Sequence, residues 1–248
     1  MDIKLIAFDL DGTLAPSKGP ISSEMAQALK NLLDRIPVCI ISGGTKDQIM
    51  SQVVAQLPAD TNLRDLHLMP TSGAQYYKRS LGRWRKIYSE DFTSSQVKKI
   101  VSSIEVAAEL LGYWPENPYG EVIENRGSQI TFSALGQEAP RELKEKWDPS
   151  GEKRDKLRRA LSTLMIEFDV RSGGSTSIDV TRTNIDKGFG IYELSKRTHI
   201  KYENMLFIGD RLDVGGNDYS VRRTGVGCVS VDGPEWTLEI INRLSKQV

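Results

Sequence analysis

Short apolar runs alternate with stretches of helical spacing toward both ends of this chain. Residues 3–8 are apolar with no helical period and stop at Asp9, a carboxylate followed closely by Gly12. That pattern predicts a buried parallel strand with Asp9 at its carboxyl end. Residues 22–35 place Met25, Ala28, Leu29 and Leu32 on one helical face behind a serine cap. A second strand is expected at Val38-Cys39-Ile40-Ile41; it runs out in Ser42-Gly43-Gly44-Thr45 and a helix with Ile49, Val53 and Gln56 at turn spacing. The alternation returns with a helix over 187–197, strands over 205–208 and 226–231, and a last helix from about Pro234. Strand and helix in alternation predict one parallel sheet built from both stretches.

Between them, over roughly residues 90–183, the texture changes. A helical segment at 94–111 leads to strand-like 121–124, alternating Gln129-Ile130-Thr131-Phe132, a helix over 152–165 and strand-like 176–180. We expect an inserted α+β domain over 90–183, dividing an α/β core made of residues 1–89 and 184–248.

Composition narrows the function classes. Hydrophobic residues make up 39% and charged residues 27%, and 33 basic side chains balance 33 acidic ones, so no global charge points to nucleic acid. The apolar runs are too short to span a bilayer, and the first residues lack the pattern of a secretory signal, so a cytoplasmic protein without a membrane partner is expected. Cys39 and Cys228 sit in separate apolar runs and read as two reduced thiols. His67 and His199 have no metal-spaced partner.

Chemistry concentrates at expected carboxyl ends of strands, where open parallel sheets bind ligands. Asp9-Leu10-Asp11-Gly12-Thr13 sends two carboxylates off one strand; chance would produce those four fixed letters in about 1 in 500 such chains. A calcium loop is set aside because position 20 is Pro20, where that loop needs glutamate. Ser42, Gly43 and Gly44 open a helix and offer N–H groups to an anion. Lys187 begins a helix, and Gly209-Asp210 precedes Gly215-Gly216-Asn217-Asp218. Acids gathered where a phosphate dianion must arrive need cations, since each like-charge pair at 4 Å costs about 4 kcal/mol at an effective dielectric near 20. Mg²⁺ on Asp9, Asp11, Asp210 and Asp218, together with Lys187, would answer that need with hard oxygen ligands. In this reading Asp9 is the nucleophile attacking phosphorus, Asp11 the general acid and base, and Ser42 a holder of the transferring oxygens.

These residues resemble the haloacid dehalogenase superfamily, whose four motifs match Asp9-Leu10-Asp11-Gly12-Thr13, Ser42, Lys187, and Gly209-Asp210 with Asp218. The resemblance implies a Rossmann-like core with an inserted α+β cap of the C2 type, as in subclass IIB. That subclass holds sugar-phosphate phosphatases and eukaryotic-type phosphomannomutases. The latter are the closer likeness, through residues 209–218, Glu124-Asn125-Arg126-Gly127 with Ser133-Ala134-Leu135-Gly136-Gln137, and residues 173–180. It further implies that Arg126 grips a remote phosphate and that Ser177 and Asp179 hold sugar hydroxyls. Where phosphomannomutases carry an arginine this chain has Gln137, with Arg141 or Lys144 as candidate replacements for the lost charge. The implied activity is interconversion of mannose 6-phosphate and mannose 1-phosphate through an aspartyl-phosphate, with a hexose 1,6-bisphosphate as candidate activator. The alternatives are a sugar-phosphate phosphatase and a phosphosugar-binding protein without catalysis. A small sugar phosphate is the expected partner, and a homodimer through the cap is a further expectation.

Overall fold

The computed structural model describes residues 2–245. These fall into two compact units, one comprising residues up to 89 and from 185 onward, the other Glu90–Asn184. Among the described residues no helix is long and apolar enough to cross a membrane.

In the first unit, β1 (Leu5–Phe8), α1 (Ser23–Leu33), β2 (Val38–Ile41) and α2 (Lys46–Gln52) follow the expected order. Ser22 caps α1, its hydroxyl accepting from the Met25 N–H at 3.2 Å, and all four apolar residues assigned to its inner face are buried. The second helix stops earlier than its spacing suggests. It ends at Gln52, a single 3₁₀ turn takes Val54–Gln56, and Gln56 is exposed.

The next three strands are not marked by the sequence patterning. β3 (Leu66–Met69) extends the parallel sheet, and β4 (Gln75–Ser80) and β5 (Arg83–Ser89) add an antiparallel hairpin at its edge. β5 is largely solvent-exposed, so it carries little of the apolar signal that marks a strand.

The second unit contains α3 (Ser94–Leu110), β6 (Ile123–Asn125), β7 (Gln129–Ser133), α4 (Arg141–Trp147), α5 (Glu152–Leu164), β8 (Phe168–Ser172) and β9 (Ser177–Arg182). Its sheet runs β6-β7-β9-β8 and is antiparallel throughout. Ile130, Phe132, Val170, Ile178 and Val180 join residues of α3 and α5 in a core of its own. The Arg182 guanidinium donates to the carbonyls of Glu90 and Asp91 at 3.1 and 2.8 Å and so fastens together the two ends of the unit. The alternation read in β7 does not mark an exposed face: all five of its residues are buried, the polar ones included.

The chain completes the first unit with α6 (Lys187–Thr198), β10 (Met205–Gly209), α7 (Tyr219–Arg222), β11 (Gly227–Ser230) and α8 (Pro234–Leu244). Sheet order is β11-β10-β1-β2-β3-β4-β5, with the first five strands parallel. β1 lies centrally between β10 and β2 and is buried along its length. Its fully apolar sequence is what a strand covered on both faces requires. This placement sets the carboxyl end of β1 beside that of β10, and with it Asp9 beside Asp210.

Candidate active site

Asp9 leaves β1 with its backbone N–H still tied to the Ile208 carbonyl of β10 at 2.9 Å, so the strand ends at a fixed point. Asp210 leaves the adjacent strand, and Asp218 sits at the start of α7. Each offers a carboxylate oxygen to one cluster in which these atoms lie within 4.8 Å of one another. Lys187, the first residue of α6, is wholly buried and donates to Asp9 Oδ1 and Asp218 Oδ1, both at 2.6 Å. Its helix is anchored by Asp186, whose side chain accepts from the Phe189 N–H at 3.0 Å.

Two glycines make room for the acids. Gly12 has φ +81°, and a Cβ there would lie 2.5 Å from Asp210 Oδ2; a Cβ on Gly209 would lie 2.4 Å from Asp218 Oδ2.

Three carboxylates face one ammonium, an excess of two negative charges in a largely buried place. The ionisation of the group reflects this excess. Burial, reinforced by Asp218 and opposed by Lys187, pushes Asp9 up to about 7. Asp210 is raised by burial and by Asp218. For Lys187 burial alone would lower the pKa, but Asp9 and Asp218 outweigh it and hold the amine charged above its ordinary value. Asp210 Oδ1 is buried and accepts no hydrogen bond among the described residues. A divalent cation fits this arrangement on both counts, since it balances the charge and gives the orphaned oxygen a partner.

Ser42 follows β2 and is buried. Its Oγ accepts from the Gly44 N–H at 3.0 Å, which leaves the hydroxyl proton available to another oxygen. The expected anion cradle is narrower than the sequence suggested. The Gly44 N–H is spent on Ser42, and the Thr45 N–H donates to Gln48 Oε1 at 2.7 Å within a capping box. Gly43 lies between them and is half-buried.

Asp11 departs from its expected place among the metal ligands. Its carboxylate is outside the three-acid cluster, and Oδ1 accepts from the Lys18 N–H at 2.6 Å. The residue lies past the end of the strand, on the turn that Gly12 allows, and is half-exposed. Thr13, which sequence reasoning passed over, is wholly buried with an Oγ1 that has no hydrogen-bond partner among the described residues. A threonine in a turn gives no such signal in the sequence.

In the second unit, the register sets Thr131 opposite both Glu124 and Asp179 on the sheet face away from the apolar core. Thr131 Oγ1 donates to Asp179 Oδ1 at 2.7 Å and accepts from Gln129 Nε2 at 3.0 Å. Burial raises the pKa of Asp179, while Thr131 and the Arg126 charge pull it back. Arg126 itself donates to Glu124 at 2.6 Å. Ser177, at the start of β9, lies opposite Ser133.

Gln137 has a buried Nε2 with no acceptor among the described residues, and its backbone carbonyl accepts from the Lys144 ammonium at 2.7 Å. Arg141 does not join them: its side chain is 88% exposed and paired with Glu145 at 2.6 Å. The sequence singled out Arg126, Asp179 and Gln137, but not Glu124, Gln129 or Thr131. The latter become visible only once strand pairing puts them beside Arg126 and Asp179.

A largely parallel sheet with an aspartate at the end of a central strand, flanked by two further acids and a buried lysine, is the arrangement of haloacid dehalogenase-like enzymes. Comparison with known proteins agrees. The sequence profile described as haloacid dehalogenase-like hydrolase matches residues 6–221, and the chain belongs to that family. It is therefore an enzyme, a phosphotransferase or phosphatase. It is similar to phosphomannomutases of Encephalitozoon cuniculi and Saccharomyces cerevisiae, at 26% identity each, over 98% and 97% of this chain and 94% and 93% of theirs. Among solved structures, a haloacid dehalogenase-like hydrolase from Bacteroides thetaiotaomicron matches with TM-score 0.70 at 16% identity, over 98% of this chain and 99% of that one. The C-terminal domain of Candida albicans trehalose-6-phosphate phosphatase matches with TM-score 0.67 at 18% identity, over 100% and 94%. These two likenesses concern the fold.

Proposed function

We propose that the protein transfers a phosphoryl group through an aspartyl-phosphate on Asp9, acting on a hexose phosphate in the manner of a phosphomannomutase. The observation that carries this reading is the buried Lys187 held between Asp9 and Asp218, with an unpartnered Asp210 oxygen beside them. With a divalent cation balancing the remaining two negative charges, a carboxylate in that setting can meet a phosphate dianion without prohibitive repulsion. Asp9, Asp210 and Asp218 would hold Mg²⁺, which supplies charge neutralisation at the phosphate oxygens when bound.

In the first half-reaction an Asp9 oxygen bonds to phosphorus as the bond from phosphorus to the sugar oxygen breaks, and Asp11 gives that oxygen a proton. Asp11 lies outside the acid cluster and part-exposed, an environment that suits a proton carrier better than a metal ligand. In the second half-reaction a sugar hydroxyl attacks the phosphorylated Asp9 and surrenders its proton to Asp11. The Ser42 hydroxyl and the Lys187 ammonium hold the moving oxygens. On the second unit, Arg126, Ser177 and Asp179 serve as recognition groups for the sugar phosphate. Gln137 donates Nε2 to a substrate oxygen, and the Lys144 ammonium beside it restores the positive charge that Gln137 lacks. A hexose 1,6-bisphosphate activator and a homodimer through the second unit belong to the same reading.

A phosphatase is the second reading, and one observation favours it. Gln137 is neutral and Arg141 points to solvent, which weakens the grip on a bisphosphate that a mutase must release and rebind reversed. Phosphorus NMR of mannose 1-phosphate, with Mg²⁺ and with or without hexose 1,6-bisphosphate, separates the two. Appearance of the 6-phosphate is expected. Inorganic phosphate as the sole product would replace the mutase by the phosphatase.

A further inference from the structure

Ten residues along α6 from Lys187, about 15 Å at helical rise, Arg197 borders a cavity of about 540 Å³ in the first unit. The cavity opens at the amino ends of the parallel strands, where Pro37 precedes β2 and Asp65 precedes β3, whereas the acidic cluster stands at their carboxyl ends. Its volume falls in the range of small-molecule sites. None of its lining residues has a part in the proposed phosphoryl transfer.

The lining is organised. His67 on β3 is 2% exposed, and its Nδ1 lies 2.6 Å from the Tyr76 hydroxyl, with the two rings stacked at 5.8 Å. Burial, and then the charge of Lys78, hold the imidazole down to about 4, so it stays neutral at ordinary pH. The Arg197 guanidinium is fixed by Glu193 at 2.9 Å and by the Tyr88 ring, whose centroid is 4.7 Å away. That pair uses only some of its five N–H donors. Lys78 forms no ion pair within 4 Å among the described residues, and Asp65 is the one acid of the lining. Ile87, 44% exposed, and Ile200 add apolar wall.

Lys78, with no ion pair of its own among the described residues, and the spare N–H donors of Arg197, whose charge Glu193 already balances, line the cavity beside a single lining acid. Neutral hydrogen-bonding groups are buried behind them and apolar surface lies at the side; such a set can receive a negatively charged group on an apolar body. We propose that this cavity is a second ligand site, distinct from the phosphoryl-transfer site, for a small organic anion.

The chain has two histidines, so ring NMR of a His199→Asn variant reports on His67 alone; asparagine tolerates the left-handed backbone found at His199. Benzoate is expected to shift the His67 resonances saturably, and neutral benzamide to leave them in place. Lys78→Gln, at a half-exposed position, is expected to weaken benzoate binding roughly tenfold with the thermal transition unchanged. Lys78→Glu should abolish binding. The proposal fails if benzoate gives no saturable shift, if benzamide shifts the ring equally, or if both Lys78 variants bind as the parent does. Inorganic phosphate binding as tightly as benzoate would show that the apolar walls take no part and that the ligand class is wrong.

Discussion

Lys187 is wholly buried with an aspartate oxygen 2.6 Å away on each side, so it cannot be removed without stranding two carboxylates in the interior. Lys187→Met should therefore eliminate turnover and destabilise the fold by about 3–5 kcal/mol, the cost of breaking a buried ion pair from one side; urea unfolding measures it. Asp9→Asn should lower turnover by at least about a thousandfold while keeping the fold. Steady-state assays with a phosphate ester, beside circular dichroism, check this, and unchanged turnover would rule out the aspartyl-phosphate. Asp210→Asn keeps the shape of the side chain but reduces the negative charge of the cluster. Added Mg²⁺ should raise the melting temperature of the parent and do so much less for this variant, since a ligand at 100 times its Kd stabilises by about 2.7 kcal/mol. At this scale the sequence was informative about which acids gather. Asp9, Asp210 and Asp218 could be named because acids and glycines gather where strands stop. The Asp11 carboxylate could not be placed, because two residues past a strand end the turn, and not the strand, decides where a side chain goes. The same limit hid the commitment of the Gly44 and Thr45 N–H groups to Ser42 and Gln48.

The edge hairpin shows what element-scale patterning records. β4 and β5 are joined by Leu81 and Gly82, with φ +51° and +75°, the backbone of a two-residue turn that favours Asn-Gly. Leu81 is 87% exposed and makes no packing contribution that would compensate its left-handed backbone. Leu81→Asn is expected to stabilise the first unit by about 0.5–1 kcal/mol, read as a shift in the urea midpoint at constant slope. The turn announces itself weakly because a leucine stands where asparagine would mark it. The capped helices α1, α3 and α6 were legible because a capping side chain and an apolar face are local features. α4 escaped because a helix with no buried residue has little periodic signal to offer, and β8 because its alternation rests on only two buried residues, Phe168 and Val170.

At the scale of the whole molecule, His67 couples stability to pH. Its native pKa is about 4 against an ordinary value of 6.5, so above pH 6.5 the ring is neutral folded or unfolded and contributes no slope. As pH falls from 6.5 to 4 the unfolded chain takes up a proton at this ring that the native protein refuses, and the contribution of His67 to stability declines by about 3 kcal/mol, against the opposite contribution of Asp9, whose raised pKa favours the native state over the same range. Below 4 the loss levels off. His67→Gln should flatten that part of the stability profile, measured by chemical denaturation at a series of pH values; an unchanged slope would show that the ring is not held neutral. The two units each own a hydrophobic core, which is why a change of texture in the sequence, from alternating strand and helix to mixed α+β, could be seen at all.

The sequence by itself determined the elements whose residues carry their own signal: the buried strand ending at Asp9, the capped amphipathic helices, and the acids and lysine that make phosphoryl chemistry thinkable. Tertiary structure decided which of these meet. Lys187 reaches Asp9 across 178 positions of sequence only because β10 pairs with β1 and α6 packs against α7. Likewise Thr131 finds Asp179 only through strand register. Periodicity and capping are written in neighbouring residues, whereas an ion pair between distant ones exists only when the packing of everything between brings them into contact.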